Sequence, residues 1–183
     1  MIKLIATDID GTLVKDGTLI IDPEYMTVIS KLIDKGIIFT VCSGRQFSSE
    51  QKLFAPIKDK LMYITDGGTV VRTPDRILKT YPMSNELWKD MCRMVRDELP
   101  ACDYFAASPD LCYAEDGASP IFHRLRDSYG FEMREIDDLT KLENDDIIKF
   151  TVYHPDSCEE LCSPHFIPAW KDKAHVTSAG KEW

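Results

Sequence analysis

The sequence predicts an α/β protein, with a parallel sheet in its first half and a mixed α+β unit after it. Three short apolar runs, at residues 2–7, 37–42 and 61–65, are joined by segments of helix length. Such connections favour parallel strands with right-handed crossovers. From residue 84 onward, strand and helix patterns follow one another without this rhythm, which is typical of an α+β unit.

Composition limits the classes of partner. At 183 residues the chain can form one domain, or a core with a smaller inserted one. The net charge of −9 argues against a nucleic acid or an anionic membrane surface as partner. No apolar run approaches membrane-spanning length, and the first residues enter a strand pattern without signal-peptide features. We therefore expect a cytoplasmic protein.

The six cysteines are expected to be reduced thiols. None forms a Cys-x-x-Cys pair. Cys158 and Cys162 have a spacing that suits one helix face, but no second pair of ligands partners them. Because a structural zinc site needs four correctly spaced ligands, the pattern argues against one.

The first apolar run, at residues 2–7, is continuous and predicts a strand buried on both faces. It ends in Asp8-Ile9-Asp10-Gly11-Thr12, which places two carboxylates at the carboxyl end of a strand, where open α/β sheets bind ligands. A calcium loop of the EF-hand type is excluded, because Gly11 follows Asp10 directly. A plain polar turn remains the alternative from this segment alone.

A helix is predicted next, with Asp22 as its N-cap, Pro23 at its first position and Gly36 beyond its end. The second apolar run ends in Ser43-Gly44-Arg45, and a second helix is predicted over residues 47–54. The third run ends in Asp66-Gly67-Gly68. If the three strands are neighbours, their polar loops converge on one crevice at the ligand-binding edge of the sheet.

The remaining residues predict a β-hairpin and then the α+β unit. The hairpin pairs residues 70–72 with 77–79. In the α+β unit we predict a helix capped by Ser84 that runs to residue 99, strands at 103–107, 111–115, 147–153 and 174–177, and helices at 121–129 and 157–162. The predicted division is a core of residues 1–81, a second unit of residues 82–176, and a return towards the core at residues 177–183.

The paired carboxylates suit phosphoryl transfer. One carboxylate can attack phosphorus and form an aspartyl-phosphate, and a second can protonate the leaving oxygen and then activate water. A magnesium ion would let the carboxylate approach a phosphate dianion. Backbone N–H groups of Gly11, Thr12 and Gly44, with the Ser43 hydroxyl, are candidates to hold the phosphoryl oxygens.

These segments resemble the motifs of the haloacid dehalogenase (HAD) superfamily. Residues 8–13 resemble its first motif, and residues 42–45 resemble its second motif in the Cof-type (HAD-IIB) branch, where threonine is often found at the position of Ser43. Residues 64–68 are similar to the next strand and loop of that branch, where asparagine is usual at the position of Asp66. The resemblance covers nearly the whole chain.

The resemblance implies a Rossmann-like core with an inserted α+β cap of the C2 type. It implies that Asp8 is the nucleophile and a Mg²⁺ ligand. Asp10 would be the acid/base and would give its backbone carbonyl to the metal. Ser43 would bind the transferring phosphoryl group, and Arg45 would contact phosphate or substrate. The implied activity is a Mg²⁺-dependent phosphatase acting on a small phosphorylated metabolite.

Two later motifs of the superfamily are not found in the 183 residues. These are a lysine that faces the nucleophile and a Gly-Asp-x-x-Asn-Asp motif. Residues 144–146 lack the Gly-Asp that should precede them, and Lys181 comes too early to be the lysine. We therefore expect the chain to cover only the first part of the family's fold. Weak Mg²⁺ binding, little activity and self-association through the exposed edge of strand 2–7 are also expected.

Several alternatives remain open from the sequence. The chain could be an inactive fragment with a binding or assembly role, or a phosphomutase that returns the phosphate to a bound sugar. Taken alone, Ser43 is more typical of a turn, Arg45 of a solvated charge, and Asp66 of an Asx turn. No pattern in the α+β unit identifies one substrate.

Overall fold

The structure is a computed structural model that describes residues 2–15, 18–143 and 145–183. Its strands form two sheets, one from each half of the chain. No strand of one sheet pairs with a strand of the other in the described part of the chain. Among those residues, no helix combines the length and apolarity that crossing a membrane requires. The predicted boundaries at residues 81 and 176 stay a prediction.

The first sheet has five strands in chain order, and the first three are parallel, as predicted. The last two add antiparallel and form the predicted hairpin, whose turn is closed by a hydrogen bond from Thr73 N–H to the Arg76 carbonyl, 2.9 Å long. The strands are β1 Leu4–Thr7, β2 Ile38–Cys42, β3 Met62–Thr65, β4 Val70–Arg72 and β5 Ile77–Thr80.

Helix α1 (Pro23–Asp34) connects β1 to β2 and begins as the sequence predicts. The Asp22 carboxylate accepts a hydrogen bond from Glu24 N–H at 2.9 Å, and Pro23 occupies the first helical position. Gly36 follows the helix with a φ of +80°, which glycine adopts without steric cost. Helix α2 (Phe47–Leu53) connects β2 to β3. Both helices pack against the sheet in one apolar cluster, which includes Ile29 of α1, Phe54 at the end of α2, and the strand residues Phe39, Val41 and Tyr63.

The prediction that β1 is buried on both faces is wrong. Leu4 is 55 % exposed and Ala6 is also exposed. The reason is position: β1 ends the strand order of the sheet and pairs only with β2 among the described residues. An apolar run therefore indicated a strand correctly but did not indicate how many neighbours cover it.

The second sheet has the order β8-β7-β6-β9. Strand β6 lies antiparallel to both β7 and β9, and β8 lies parallel to β7. The strands are β6 Asp103–Ala107, β7 Cys112–Ala114, β8 Met133–Glu135 and β9 Lys149–Tyr153. Helix α3 (Asn85–Glu98) is capped by the Ser84 side chain, as predicted, and packs Trp88, Met91 and Val95 against this sheet.

Three further helices complete the second unit. The predicted helix at 121–129 is an α-helix, α4 (Pro120–His123), that continues as a π-helical turn (Arg124–Ser128). Helix α5 (Cys158–Leu161) is the predicted short helix. Helix α6 (Ser163–Trp170) was not predicted, because Pro168 inside it is normally a helix-breaking residue. Strand β8 was also missed.

The predicted strand at 174–177 is wrong. Ala174 N–H donates to the Trp170 carbonyl at 2.9 Å and so extends the turn that ends α6. Its apolar residues, Ala174 and Val176, instead pack into the cluster that surrounds α3. Residues 181–183 lie against the second unit, where Glu182 forms an ion pair with Arg124 at 2.8 Å. The return towards the core at residues 177–183 stays a prediction.

The packing of α1 on the first sheet yields a direct stability test. Ile29 is 2 % exposed, whereas the neighbouring Val28 on the same helix is 46 % exposed. We expect Ile29→Ala to lower the free energy of unfolding by about 2–5 kcal/mol, because it leaves a cavity in the core. Val28→Ala should change it by less than about 0.5 kcal/mol. Urea unfolding of both variants measures the difference, and equal losses would contradict this packing.

Candidate active site

The three polar loops meet at one edge of the first sheet, as the parallel topology predicts. In the registers of the two parallel pairs, Thr7 lies opposite Val41 and Cys42 opposite Ile64, so the strand ends are adjacent. The second and third loops are joined by backbone hydrogen bonds. Asp66 N–H donates to the Arg45 carbonyl at 2.9 Å, and Gly67 N–H donates to the Ser43 carbonyl at 3.0 Å.

The first loop is a tight turn fixed by a buried side chain. Ile9 is fully buried, and its carbonyl accepts hydrogen bonds from the N–H groups of Thr12, Leu13 and Val14. Gly11 has a φ of +75°, the left-handed conformation that this turn requires. Its N–H donates to the Val14 carbonyl at 2.9 Å. The N–H groups of Gly11 and Thr12, which were candidates to hold phosphoryl oxygens, are thus used inside the turn.

The two carboxylates of this turn have different surroundings. Asp8 is exposed, and its Oδ2 accepts a hydrogen bond of 3.4 Å from the Thr12 hydroxyl. Asp10 is half-buried and faces Arg45. Asp8 is therefore open to a ligand approaching the strand ends, whereas Asp10 is held by the protein.

Arg45 binds Asp10 through two parallel hydrogen bonds. Its Nε donates to Oδ2 at 2.8 Å and its Nη2 donates to Oδ1 at 2.6 Å. The Arg45 side chain is only 2 % exposed, and its Nη1 also donates to the Ser49 hydroxyl at 3.4 Å. The alternative that Arg45 is a solvated charge is therefore wrong. Such bidentate pairing fixes the orientation of a carboxylate more strictly than a single bond does.

Ser43 and Asp66 shape the other two loops. The Ser43 hydroxyl accepts a hydrogen bond from Arg45 N–H at 3.1 Å, which is the turn role considered for it, and its proton can still be donated. Asp66 has a φ of +53°, a conformation that aspartate tolerates better than most residues. Its carboxyl accepts a hydrogen bond of 2.9 Å from the Thr65 hydroxyl. Burial raises the pKa of Asp66 to about 6, although the charge of Lys149 acts in the opposite direction.

Glu50, in α2, is a buried carboxyl group that sequence reasoning missed. It is fully buried, and neither of its carboxyl oxygens has a hydrogen-bond partner in the described part of the chain. Burial raises its pKa well above the ordinary value, and the charge of Asp66 adds to the effect. Burial therefore favours the neutral form of this group. Its polar residue type gave no signal of burial.

Lys149 brings a cation from the second unit to the site. Its Nζ donates to the Gly44 carbonyl at 2.9 Å, although the two residues are far apart in sequence. The sequence predicted the strand that contains Lys149. It could not show which residues face the first sheet, because that depends on how the two units pack.

The start of α2 carries several further contacts between the units. The Gln46 side chain, fully buried, accepts from Glu132 N–H at 2.6 Å and donates to the Glu132 carbonyl at 3.3 Å. Ser48 and Lys52 both donate to the Gly130 carbonyl, at 3.2 and 2.7 Å. The residues that follow Arg45 therefore dock the second unit beside the three loops.

The grouping of side chains in the structure shows which residues could bind a metal ion. No group of three His, Cys, Asp or Glu side chains in the described ranges is placed to hold a metal ion. Within residues 144–146, Asn144 lies outside the described residues, and the Asp145 carboxylate accepts a hydrogen bond from the Tyr113 hydroxyl. An ion at the first loop would therefore be held by the Asp8 carboxylate and the Asp10 backbone carbonyl.

The raised pKa of Asp66 predicts a pH-dependent stability. Because its pKa is higher in the folded state than in the unfolded state, the folded state binds more protons between about pH 4 and pH 6. This contribution stabilises the fold at low pH and is lost as the pH rises through this window. We expect Asp66→Asn to be more stable than the parent at pH 7 by up to about 3 kcal/mol, and to show no such gain at pH 4.

Urea unfolding at both pH values measures this difference. The control is Asp75→Asn, an exposed aspartate in the hairpin turn, which should show the same change at both pH values. A gain for Asp66→Asn that is equal at pH 4 and pH 7 would contradict the assigned cause.

Comparison with known proteins identifies relatives of this chain. The sequence profile of the haloacid dehalogenase-like hydrolases matches residues 5–182. A protein from Eubacterium rectale of known crystal structure is 80 % identical; the match covers 100 % of this chain and 69 % of that protein, with a TM-score of 0.86.

Two curated relatives are phosphatases named for 5-amino-6-(5-phospho-D-ribitylamino)uracil. YbjI of Escherichia coli is 26 % identical over 147 residues, which cover 78 % of this chain and 52 % of YbjI. YwtE of Bacillus subtilis is 32 % identical over 87 residues, covering 48 % of this chain and 30 % of YwtE. The chain thus spans about half or less of the curated relatives it matches. The profile match runs through both sheets and all three polar loops, and the chain belongs to the haloacid dehalogenase-like hydrolases.

Proposed function

We propose that this chain carries the nucleophile and the acid/base of a Mg²⁺-dependent phosphatase that acts through an aspartyl-phosphate on a small phosphorylated metabolite. The observation that supports the proposal is that the two carboxylates of one turn have different surroundings. Asp8 is exposed at the carboxyl ends of the parallel strands, whereas Asp10 is clamped by Arg45. A nucleophile must reach the substrate, and an acid/base must be held in a fixed direction.

In the first step an Asp8 oxygen attacks phosphorus, and the bond to the leaving oxygen breaks. Asp10 gives that oxygen a proton. In the second step Asp10 takes a proton from water, which attacks phosphorus and releases Asp8. Arg45 thus acts as a positioning residue for Asp10 rather than as a ligand of the phosphate.

The phosphoryl oxygens need hydrogen-bond donors at the strand ends. The Ser43 hydroxyl retains its proton for this purpose, and Gly44 is exposed in the same loop. The nearby ammonium group of Lys149 adds positive charge from the second unit. These groups suit a dianionic substrate, because they offset the negative charge of Asp8 and Asp10.

A magnesium ion fits the donors of the first loop. It would be held by the Asp8 carboxylate and the Asp10 carbonyl, because the Asp10 carboxylate is already engaged by Arg45. Mg²⁺ needs few protein ligands, since it usually keeps several waters and binds substrate phosphate directly. When bound, it would neutralise the negative charge that otherwise keeps a phosphate dianion from the carboxylate.

The substrate is proposed as a class, with one compound to test first. The two curated relatives are named for the same phosphorylated ribitylaminouracil. That compound has a phosphate ester on a flexible sugar alcohol, which places the reacting group well away from its ring. This compound should be the first one assayed in a panel of small phosphate esters.

Variants of the two carboxylates test the mechanism in a longer chain that also contains the lysine and the Gly-Asp-x-x-Asn-Asp motif of the superfamily. We expect Asp8→Asn to abolish phosphate release from p-nitrophenyl phosphate, because an amide is a poor nucleophile. Asp10→Asn should lower the rate by roughly 10²–10⁴-fold, because the acid/base is lost. The matched control is Asp22→Asn, which keeps an effective helix cap and should retain parental activity.

Phosphate release should be followed with and without added Mg²⁺. An Asp8→Asn variant that turns over substrate at the parental rate would contradict the assignment of Asp8 as the nucleophile. Transfer of the phosphoryl group to a sugar acceptor rather than to water would favour the phosphomutase alternative.

A second proposal concerns assembly, and it is supported by the surface beside β1. Ile2, Leu4 and Ile38 are exposed apolar residues, and Leu4 and Ile38 are opposite one another on paired strands. An exposed apolar strand at a sheet edge is a template for pairing with another chain. We propose that two copies of the chain associate through this β1 edge.

Light scattering tests this assembly. We expect a mass above that of the monomer for the parent chain and a monomer for Leu4→Lys, because an edge lysine opposes strand pairing. Leu161→Lys, at an exposed apolar residue of α5, is the control and should behave like the parent. A monomeric parent chain would refute the proposal.

A further inference from the structure

Three of the six cysteines lie together in the apolar core of the second unit. Cys102 precedes β6, Cys158 begins α5, and Cys162 lies between α5 and α6. They belong to one cluster of buried side chains that also includes Met91, Val152 and Trp170. No step proposed for the three loops uses this cluster.

The sulfur atoms of Cys102 and Cys162 are 2.6 Å apart. Two sulfur atoms that are not bonded cannot approach so closely without repulsion, and a disulfide bond is about 2.05 Å long. A shared metal ion is not the explanation, because no three suitable ligands are grouped in the described part of the chain. We propose that Cys102 and Cys162 are a site of disulfide formation.

Cys158 is the competing partner, since it is one helical turn from Cys162. Its thiol, however, donates to the Val152 carbonyl at 3.6 Å. That contact directs the Cys158 sulfur towards β9, whereas the Cys162 sulfur lies against that of Cys102. The thiols of Cys158 and Cys162 also interact, but the distance of 2.6 Å between the sulfur atoms of Cys102 and Cys162 favours the pair that joins two separate parts of the unit.

The reaction is an exchange with a small disulfide such as oxidised glutathione. The Cys102 thiolate attacks one sulfur of that disulfide, forms a mixed disulfide and expels one thiolate. The Cys162 thiolate then attacks the Cys102 sulfur and expels the second, so that two protein thiols are oxidised and one small disulfide is reduced to two thiols. Cys102 is only half-buried and is the thiol that such a reagent reaches first, since Cys162 is buried.

Burial controls the rate of this exchange. It raises the pKa of the Cys102 thiol above its ordinary value, and the neighbouring Cys162 adds to the effect. The reactive thiolate is therefore scarce at neutral pH, and oxidation should quicken as the pH rises. The bond would be a slow structural crosslink whose presence follows the surrounding redox potential.

The crosslink would join the residue that precedes β6 to the junction of α5 and α6. In the described part of the chain, those elements pack in one apolar cluster that includes Met91, Phe166 and Trp170. Closing a long loop in this way restricts the unfolded chain more than the folded one, which raises the unfolding temperature.

The test uses the native chain in glutathione redox buffers of increasing potential at mildly alkaline pH. After free thiols are trapped by iodoacetamide under denaturing conditions, intact mass and peptide mapping locate the bond. We expect four carbamidomethyl groups on the oxidised form instead of the six on the reduced form, a crosslinked peptide pair containing Cys102 and Cys162, and a higher melting temperature for the oxidised form.

Matched variants assign the bond. Cys102→Ser and Cys102→Ala should show neither the crosslink nor the shift in melting temperature, and circular dichroism of both checks that they fold. Cys92→Ser removes a buried thiol from a different cluster and should still form the bond. Full alkylation of all six thiols in the oxidised parent, or a crosslink mapped to Cys158 and Cys162, would overturn the proposal.

Discussion

The ion pair between Arg45 and Asp10 is the interaction on which the candidate site depends. Its two hydrogen bonds tie the first loop to the second, while the Arg45 backbone carbonyl accepts the N–H of Asp66 in the third. The next residue, Gln46, binds the backbone of the second unit on both its donor and acceptor sides. One short segment after β2 therefore holds three loops and a neighbouring unit in a single arrangement.

This arrangement buries a guanidinium group among carboxyl groups, and their charges must be balanced. Arg45 has one close carboxylate partner in Asp10, and a hydroxyl contact in Ser49. In the described part of the chain, Glu50 and Asp66 lie nearby without a comparable ion pair, and burial raises the pKa of each. A raised pKa extends the pH range in which a buried acid is neutral and so avoids the large cost of an unpaired charge. The site thus keeps one strong ion pair and reduces the charge of the acids around it.

Local chemistry made much of the fold predictable from sequence. The cap at Asp22, the turn between β4 and β5, and the three apolar runs each indicate their structure within a few residues. Features that depend on distant contacts were not predictable. Helix α6 tolerates Pro168 within a packed cluster, the segment at 174–177 is covered by α3 rather than by strands, and Lys149 reaches Gly44 only because the units pack together. The same holds for Glu50, whose burial no local pattern indicates.

The hydrogen bond from Lys149 to the Gly44 carbonyl would couple the proposed binding of a ligand to docking of the second unit. The ammonium group has three protons, so it can hold this carbonyl while it also donates to an anion placed beside the loop. An anion bound farther away would have to draw Lys149 off Gly44, and its affinity would be reduced by the free energy of that lost bond. Substrates of different length would then differ in affinity, because some would leave the hydrogen bond from Lys149 to Gly44 intact and others would break it.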